Sequence, residues 1–208
     1  MPMPNNRSRR MKERRARERM RIATIVAGTS FLLLAAGAIL WLLGAPSRGG
    51  AAIGGPFQLS ASNGRVIDNR SFPGRFTLLY FGYTHCQDIC PTTLAALARA
   101  LRLLGQDAAR VQPLFITVDP ARDTPAVLQA YLTKFTPRLI GLTGTPEQIA
   151  AVEHAYHVVA IVRRTGFGYS VDHSAVLYLM SPDGRFLAPI RVGETAAAMA
   201  ATIAQYIS

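Results

Sequence analysis

Two apolar runs limit the folds open to this chain. Phe76-Thr77-Leu78-Leu79-Tyr80-Phe81 is nearly continuous in apolar residues, and Val111 to Val118 is a second such stretch without a charge. Strands read this way when both faces are buried, not when one face meets water. Between them, Pro91 to Leu104 places Leu94, Leu97, Leu101 and Leu104 at helical spacing, with Pro91 in a first turn where its missing N–H is not needed. Strand, helix, strand in that order predicts a parallel crossover and an α/β sheet.

The flanking segments extend the pattern. Phe57-Gln58-Leu59 and Arg65-Val66-Ile67 surround Ser62-Asn63-Gly64, a hairpin signal. Asp123 or Thr124 is the expected cap of a helix that begins at Pro125 and runs to about Phe135. A short strand is expected over Leu139 to Leu142. Thr145-Pro146-Glu147-Gln148 fits a capping box, opening a helix to about Tyr156. Val158 to Arg163 reads as a strand and Thr165-Gly166-Phe167-Gly168 as a loop. His173 then opens a strand over Ser174 to Met180, Ser181-Pro182-Asp183-Gly184 turns into Arg185-Phe186-Leu187, and Glu194 to Ile207 is an Ala-rich helix.

Charge divides the 208 residues unevenly. Residues 1–21 hold nine Arg and Lys against two Glu, +7 of the formal +11. The excess is a tail and not a face of the globular part, which argues against nucleic acid as a partner. Ile22 to Leu43 follows with no charge, long enough for a membrane-spanning helix, and Trp41 lies near one end where an interface favours it. Basic residues before the span predict a cytoplasmic N-terminus and a C-terminal domain on the far side. A cleaved signal peptide is the other reading, but its apolar part would be shorter. The expected organisation is a basic tail over 1–21, an anchor over 22–43, a Gly/Ala/Ser/Pro-rich linker over 44–56 and one domain over 57–208.

The chain has two cysteines, Cys86 and Cys90, where the first buried strand turns into the first helix. Open sheets place their sites at the carboxyl ends of strands. A helix N-terminus is expected to lower thiol pKa, and the thiolate is both nucleophile and soft-metal ligand. Three residues separate the pair, not the two of a thioredoxin redox motif. If both lie on a first helical turn, they share a face and their sulfurs can converge on one atom or close a small disulfide ring. His173, beside Asp172, is the candidate third partner. Two thiolates and an imidazole suit Cu(I), or Cu(II) with an added ligand. A hydrogen-bonded loop histidine is the alternative for His173. Asp172 either orients its imidazole or faces solvent. His85 is expected to point away from Cys86 and reads as packing or pKa tuning over a ligand, Asp88 as a helix-start carboxylate, His154 and His157 as a helix-end pair over a metal-binding one, and Asp119 and Asp123 as caps beside turn prolines over paired acid–base carboxylates.

Tyr80 to Pro91, and with it Gly82-Tyr83-Thr84-His85-Cys86-Gln87-Asp88-Ile89-Cys90-Pro91, closely resembles the signature of the Sco/SenC proteins, usually written GxTxCPDxCP. Val118-Asp119-Pro120-Ala121-Arg122-Asp123-Thr124-Pro125 is similar to that family's second block, and Tyr169-Ser170-Val171-Asp172-His173-Ser174 to its third. Gln87 stands where the family often has Pro. The resemblance implies a thioredoxin-like fold with an N-terminal hairpin, behind a single membrane helix. It implies copper held by Cys86, Cys90 and His173, and delivery of copper to, or maturation of, the dinuclear copper centre of cytochrome c oxidase subunit II. The implied partners are that subunit, a copper donor and a thiol reductant, with the domain in the periplasm of a bacterial inner membrane. A thiol-disulfide reductase using Cys86 and Cys90, and a copper or redox sensor, are the alternatives.

Overall fold

A computed structural model describes Met20 and residues 34–36, 53–166 and 168–207. The chain divides into two compact units, Met1–Gly50 and Ala51–Ser208. In the first, Met20 and residues 34–36 are helical. The rest of the expected span, the basic tail and the linker up to residue 52 lie outside the described residues. No helix among the described residues is long and apolar enough to cross a membrane.

The described residues of the second unit carry nine strands: β1 (Gln58–Ala61), β2 (Val66–Asp68), β3 (Phe76–Gly82), β4 (Val111–Thr117), β5 (Ile140–Thr143), β6 (Ala160–Thr165), β7 (Gly168–His173), β8 (Val176–Met180) and β9 (Phe186–Arg191). Its α-helices are α1 (Ile89–Leu103), α2 (Pro125–Leu132), α3 (Pro146–Ala155) and α4 (Ala196–Ile207), with a 3-10 turn over Gly105–Arg110. Seven strands form one sheet in the order β2-β1-β5-β4-β3-β8-β9, while β6 and β7 pair with each other. The two apolar runs are its centre: β3 and β4 lie side by side and parallel, from Phe76 opposite Val111 to Gly82 opposite Thr117. β5 continues the parallel set, and β1, β8 and β9 are antiparallel.

Both faces are covered, as the unbroken apolar runs require. Side chains alternate along β3. Leu78 and Tyr80 join Leu94, Leu97 and Leu101 of α1, Leu128 and Leu132 of α2, and Met199, Ile203 and Ile207 of α4. Leu79 and Phe81 point the other way, to Leu59, Ile67 and Ile149 and Val152 of α3. β3-α1-β4 and β4-α2-β5 step in one direction across the sheet, which puts α1 and α2 on the same face. Leu94 and Leu97 are fully buried, worth about 1.5–3 kcal/mol each.

Local signals hold where they have a mechanism. Thr145 and Gln148 form the capping box, at 2.9 and 3.3 Å. Thr124, not Asp123, caps α2, its hydroxyl accepting the Val127 N–H at 3.4 Å. Gly64 turns the first hairpin with φ of 81°. Three boundaries differ from expectation. α2 stops at Leu132, short of Phe135; β9 reaches Arg191; and the whole stretch from Gly168 to His173 is a strand. His173 therefore closes β7 and does not open β8. Tyr169 and Val171 alternate inward with His173 while Asp172 is exposed, a period of two that the neighbouring glycines obscured.

Candidate metal centre

The site grows from the carboxyl end of β3. Val118 N–H donates to the Gly82 carbonyl at 2.9 Å, carrying the ladder one step past the strands. The chain then turns, with Cys86 N–H on the Tyr83 carbonyl at 3.2 Å. Cys86 precedes α1 and is not in its first turn, so the condition for a shared helical face is not met. Asp88, the N-cap residue, is exposed and makes no side-chain capping bond. Cys86 Sγ instead accepts the Cys90 N–H at 3.4 Å, one of the helix-start donors that lack an intrahelical partner. The thiols thus meet without both being helical.

Cys90 is fully buried. Gly82 makes room for it: a Cβ there would lie 3.0 Å from Cys90 Sγ and 2.9 Å from the Phe115 ring. Tyr80 donates its hydroxyl to Cys90 Sγ at 3.5 Å. Burial pushes the Cys90 thiol up to about 12, with the Tyr80 hydrogen bond opposing it. The expected lowering by the helix terminus is overcome, because desolvation of a thiolate at a fully buried position outweighs the terminal partial charge.

β7 delivers His173 to the same place. Its Nδ1 is 3.1 Å from the Ser174 carbonyl oxygen, which can only accept, so the proton is assigned to Nδ1 and the Nε2 lone pair is free. Nε2 is 3.7 Å from Cys90 Sγ. Burial lowers the His173 pKa, favouring the neutral, ligating form. Tyr80 and Tyr83 meet the imidazole edge-on, at 6.5 and 6.0 Å between centroids. The donor atoms of Cys86, Cys90 and His173 all lie within 4.8 Å of one another, and both cysteines are free thiols. Sulfur and nitrogen donors about 2.0–2.3 Å from one metal ion stand roughly 3.5–4 Å apart, so the set fits a single soft ion with small movements.

The other named residues stay out of this cluster. His85 is exposed, with Nδ1 3.1 Å from Thr84 Oγ1. His154 and His157 are exposed at the end of α3, His157 with φ of 55°. Asp172 does not orient His173: it is exposed and pairs with Arg163 at 2.7 Å. The Ser174 carbonyl does that work.

Asp119 and Asp123 are not helix caps. Asp123, fully buried, accepts the Thr84 N–H at 3.0 Å, the Thr84 hydroxyl at 2.6 Å and the Thr117 hydroxyl at 2.7 Å. It staples the cysteine loop to β4. Asp119 pairs with Arg122 and accepts the Tyr169 hydroxyl at 2.8 Å, reaching β7. The distant partners, Thr84 and Tyr169, are 39 and 50 positions away, and no local pattern announces them.

A family model described as SCO1/SenC matches residues 45–208. SCO1 homolog 1, a mitochondrial protein of Arabidopsis thaliana, is 46% identical over 144 residues, 68% of this chain and 43% of that protein. SenC of Rhodobacter capsulatus is 44% identical over 138 residues, 66% of this chain and 62% of that protein. The chain spans about half the length of the relatives it matches first. Among solved structures, copper-bound ScoI of Bradyrhizobium japonicum aligns with a TM-score of 0.70 and 47% identity, over 74% of this chain and 99% of that one. Copper-bound yeast Sco1 aligns with a TM-score of 0.69 and 37% identity, over 75% and 88%. The mixed sheet with helices on both faces is the thioredoxin-like fold of these structures.

Proposed function

The chain belongs to the SCO1/SenC family, and on that premise we propose that it is a copper-binding protein of cytochrome c oxidase assembly. Cys86, Cys90 and His173 hold the metal, and the cargo is passed to the dinuclear copper centre of subunit II. The observation that carries this reading is the convergence of two thiols and a neutral imidazole within 4.8 Å, in the fold of relatives solved with copper. Soft thiolates and one imidazole favour Cu(I).

The donors are unequal, and that inequality suits transfer. Cys90 is buried beneath Gly82 and Tyr80, whereas Cys86 is partly exposed. Copper enters and leaves past Cys86, where a partner's thiolate or imidazole can replace one ligand at a time while Cys90 and His173 keep hold. A copper donor loads the site, and a thiol reductant keeps both sulfurs reduced. The reading includes a single-pass anchor over 22–43 in a bacterial inner membrane, with the domain in the periplasm; the uncharged run behind a basic tail supports it.

The same asymmetry favours a second reading, reduction of a partner's disulfide. Cys86 thiolate attacks one partner sulfur and forms a mixed disulfide. Cys90 then attacks Cys86 Sγ, its thiol proton passing to the departing partner sulfur, a Cys86–Cys90 disulfide forms, and the partner leaves as a dithiol carrying the two electrons. This route uses the thiols but not His173.

Copper titration of the reduced full chain tests the first reading, with thiolate-to-metal absorption as the readout. One copper per chain is expected, and equal uptake by a Cys86→Ser, Cys90→Ser double variant would overturn it. His173→Ala separates the two routes. Loss of oxidase assembly with disulfide reduction intact supports copper transfer, and unchanged assembly supports the reductase.

A further inference from the structure

Arg122 stands between the cysteine loop and the histidine strand. It pairs through Nε with Asp119, which is 4% exposed. Its Nη1 donates to the Tyr169 carbonyl at 3.1 Å. The guanidinium lies 3.7 Å from the centre of the Tyr169 ring and 5.7 Å from that of Tyr83. The Tyr169 hydroxyl closes the circuit on Asp119 at 2.8 Å.

Both rings lead to the metal site. Tyr169 is four positions before His173 on β7, on the same strand face. Tyr83 is three positions before Cys86, and its ring meets the His173 imidazole edge-on. Among the described residues, β6 and β7 join no strand of the main sheet, so no backbone ladder sets where β7 stands against the cysteine loop. The Arg163–Asp172 pair and the Val159–Ser174 hydrogen bonds tie the hairpin only to itself or to its own base. Buried Val171 packs it against the core, and Arg122, with the Tyr169 hydroxyl on Asp119, ties it to the segment after β4. A planar guanidinium can pair, donate and stack at once, which an ammonium cannot.

Resting on the copper reading of Cys86, Cys90 and His173, we propose that Arg122 is a positioning residue that holds β7 so that His173 faces the two thiols. It thereby decides whether copper is bound by three protein donors or by the thiolates alone. The residue touches no donor atom; it acts through Tyr169 and Tyr83.

The test uses the full chain, reduced, with Cu(I) titrated against a competing chelator and the Cu(II) form followed by electron paramagnetic resonance. Arg122→Gln still takes up one copper but loses the imidazole nitrogen coupling. Its Cu(I) affinity falls about 10–100-fold, the range for residues that orient metal ligands, to the level of His173→Ala. The Arg122→Gln, His173→Ala double variant binds no more weakly than His173→Ala alone, a non-additivity that general loss of stability does not produce. Retention of the nitrogen coupling in Arg122→Gln, or additive losses in the double variant, overturns the proposal. Should Arg122→Gln fail to fold, Tyr169→Leu removes the stacked ring and its hydroxyl bond to Asp119 and leaves the Arg122–Asp119 pair. It must lose the same coupling, and an unchanged signal overturns the proposal. An unaltered chain that takes up no copper overturns the copper reading, and this role with it. An unaltered chain with imidazole-bound copper, alongside variants that keep it, overturns the role of Arg122 alone.

Discussion

Replacing Asp123 by alanine removes the acceptor of three donors at once. One carboxylate oxygen takes the Thr84 hydroxyl, and the other takes the Thr84 N–H and the Thr117 hydroxyl, at 2.6, 3.0 and 2.7 Å. Hydrogen bonds to a charged group are worth about 1.5–3 kcal/mol each, so simple addition gives about 5–9 kcal/mol. Two relaxations reduce that. Thr84 is only half-buried and can turn its donors to water. The Thr117 hydroxyl keeps its bond from Asp119 N–H at 2.9 Å. The expected cost of Asp123→Ala is therefore about 3–5 kcal/mol. Asp123→Asn keeps the shape and one oxygen, which still serves Thr84 N–H and Thr117. Only the contact with the Thr84 hydroxyl must reverse, for about 1–2 kcal/mol. Urea unfolding of the full chain, followed by far-ultraviolet circular dichroism, measures both. Thr84 is two positions before Cys86, so the alanine variant also retains copper less well than the asparagine variant. A cost below about 1 kcal/mol for Asp123→Ala, or equal costs for the two variants, would refute the assignment of this carboxylate as the staple of the loop.

Gly82→Ala places a methyl group 2.9 Å from the Phe115 ring and 3.0 Å from Cys90 Sγ. It is expected to cost about 1–3 kcal/mol by overpacking and to weaken copper uptake, and an unchanged melting temperature would contradict this. Tyr80→Phe keeps the buried ring but removes the donor to Cys90 Sγ. Stability falls by about 1 kcal/mol and the thiolate-to-copper absorption band moves, so a superimposable spectrum counts against the hydrogen bond. Glu153 sits in a groove with Pro146, Ile149, Val162 and Val171, and burial pushes its carboxyl from 4.5 up to about 7. Because the folded state holds this proton more tightly than the unfolded chain, its contribution is fullest below about pH 4.5 and is lost as pH rises through about 7. Glu153→Gln should be more stable than the unaltered chain by about 1 kcal/mol at pH 8, after allowance for solvent screening, and no more stable at pH 4. Parallel pH profiles of the denaturation midpoint would rule this out.

Much of the site was legible because its chemistry is local. Cys86 and Cys90 are separated by three residues, so their proximity follows from chain connectivity alone. Strand and helix types followed from patterns with short mechanisms, such as the capping box at Thr145 or the Asn63-Gly64 turn. His173 was a candidate third ligand by its chemistry, but only the family resemblance favoured it over a hydrogen-bonded loop histidine, since 83 positions separate it from Cys90 and sequence distance carries no spatial information. The misreadings share one cause. Asp119 and Asp123 resemble caps beside prolines, yet their hydrogen bonds go to Tyr169 and to Thr84 and Thr117. Cys90 looked like a thiol acidified by a helix terminus, yet the weight of burial over the dipole depends on what packs above it.

By itself the sequence determined the alternation of buried strands and helices, the parallel crossover and the placing of two thiols at a strand's carboxyl end. These follow from periodicity, turn chemistry and chain connectivity, which act over a few residues. Tertiary structure alone decided that β7 is a strand ending on His173, that Asp172 faces solvent, that Cys90 is a fully buried thiol beside a partly exposed Cys86, and that Arg122 and Asp123 tie the three segments together. Those outcomes depend on burial and on hydrogen bonds between residues far apart in the chain. Their energies exist only once packing has excluded water from between them.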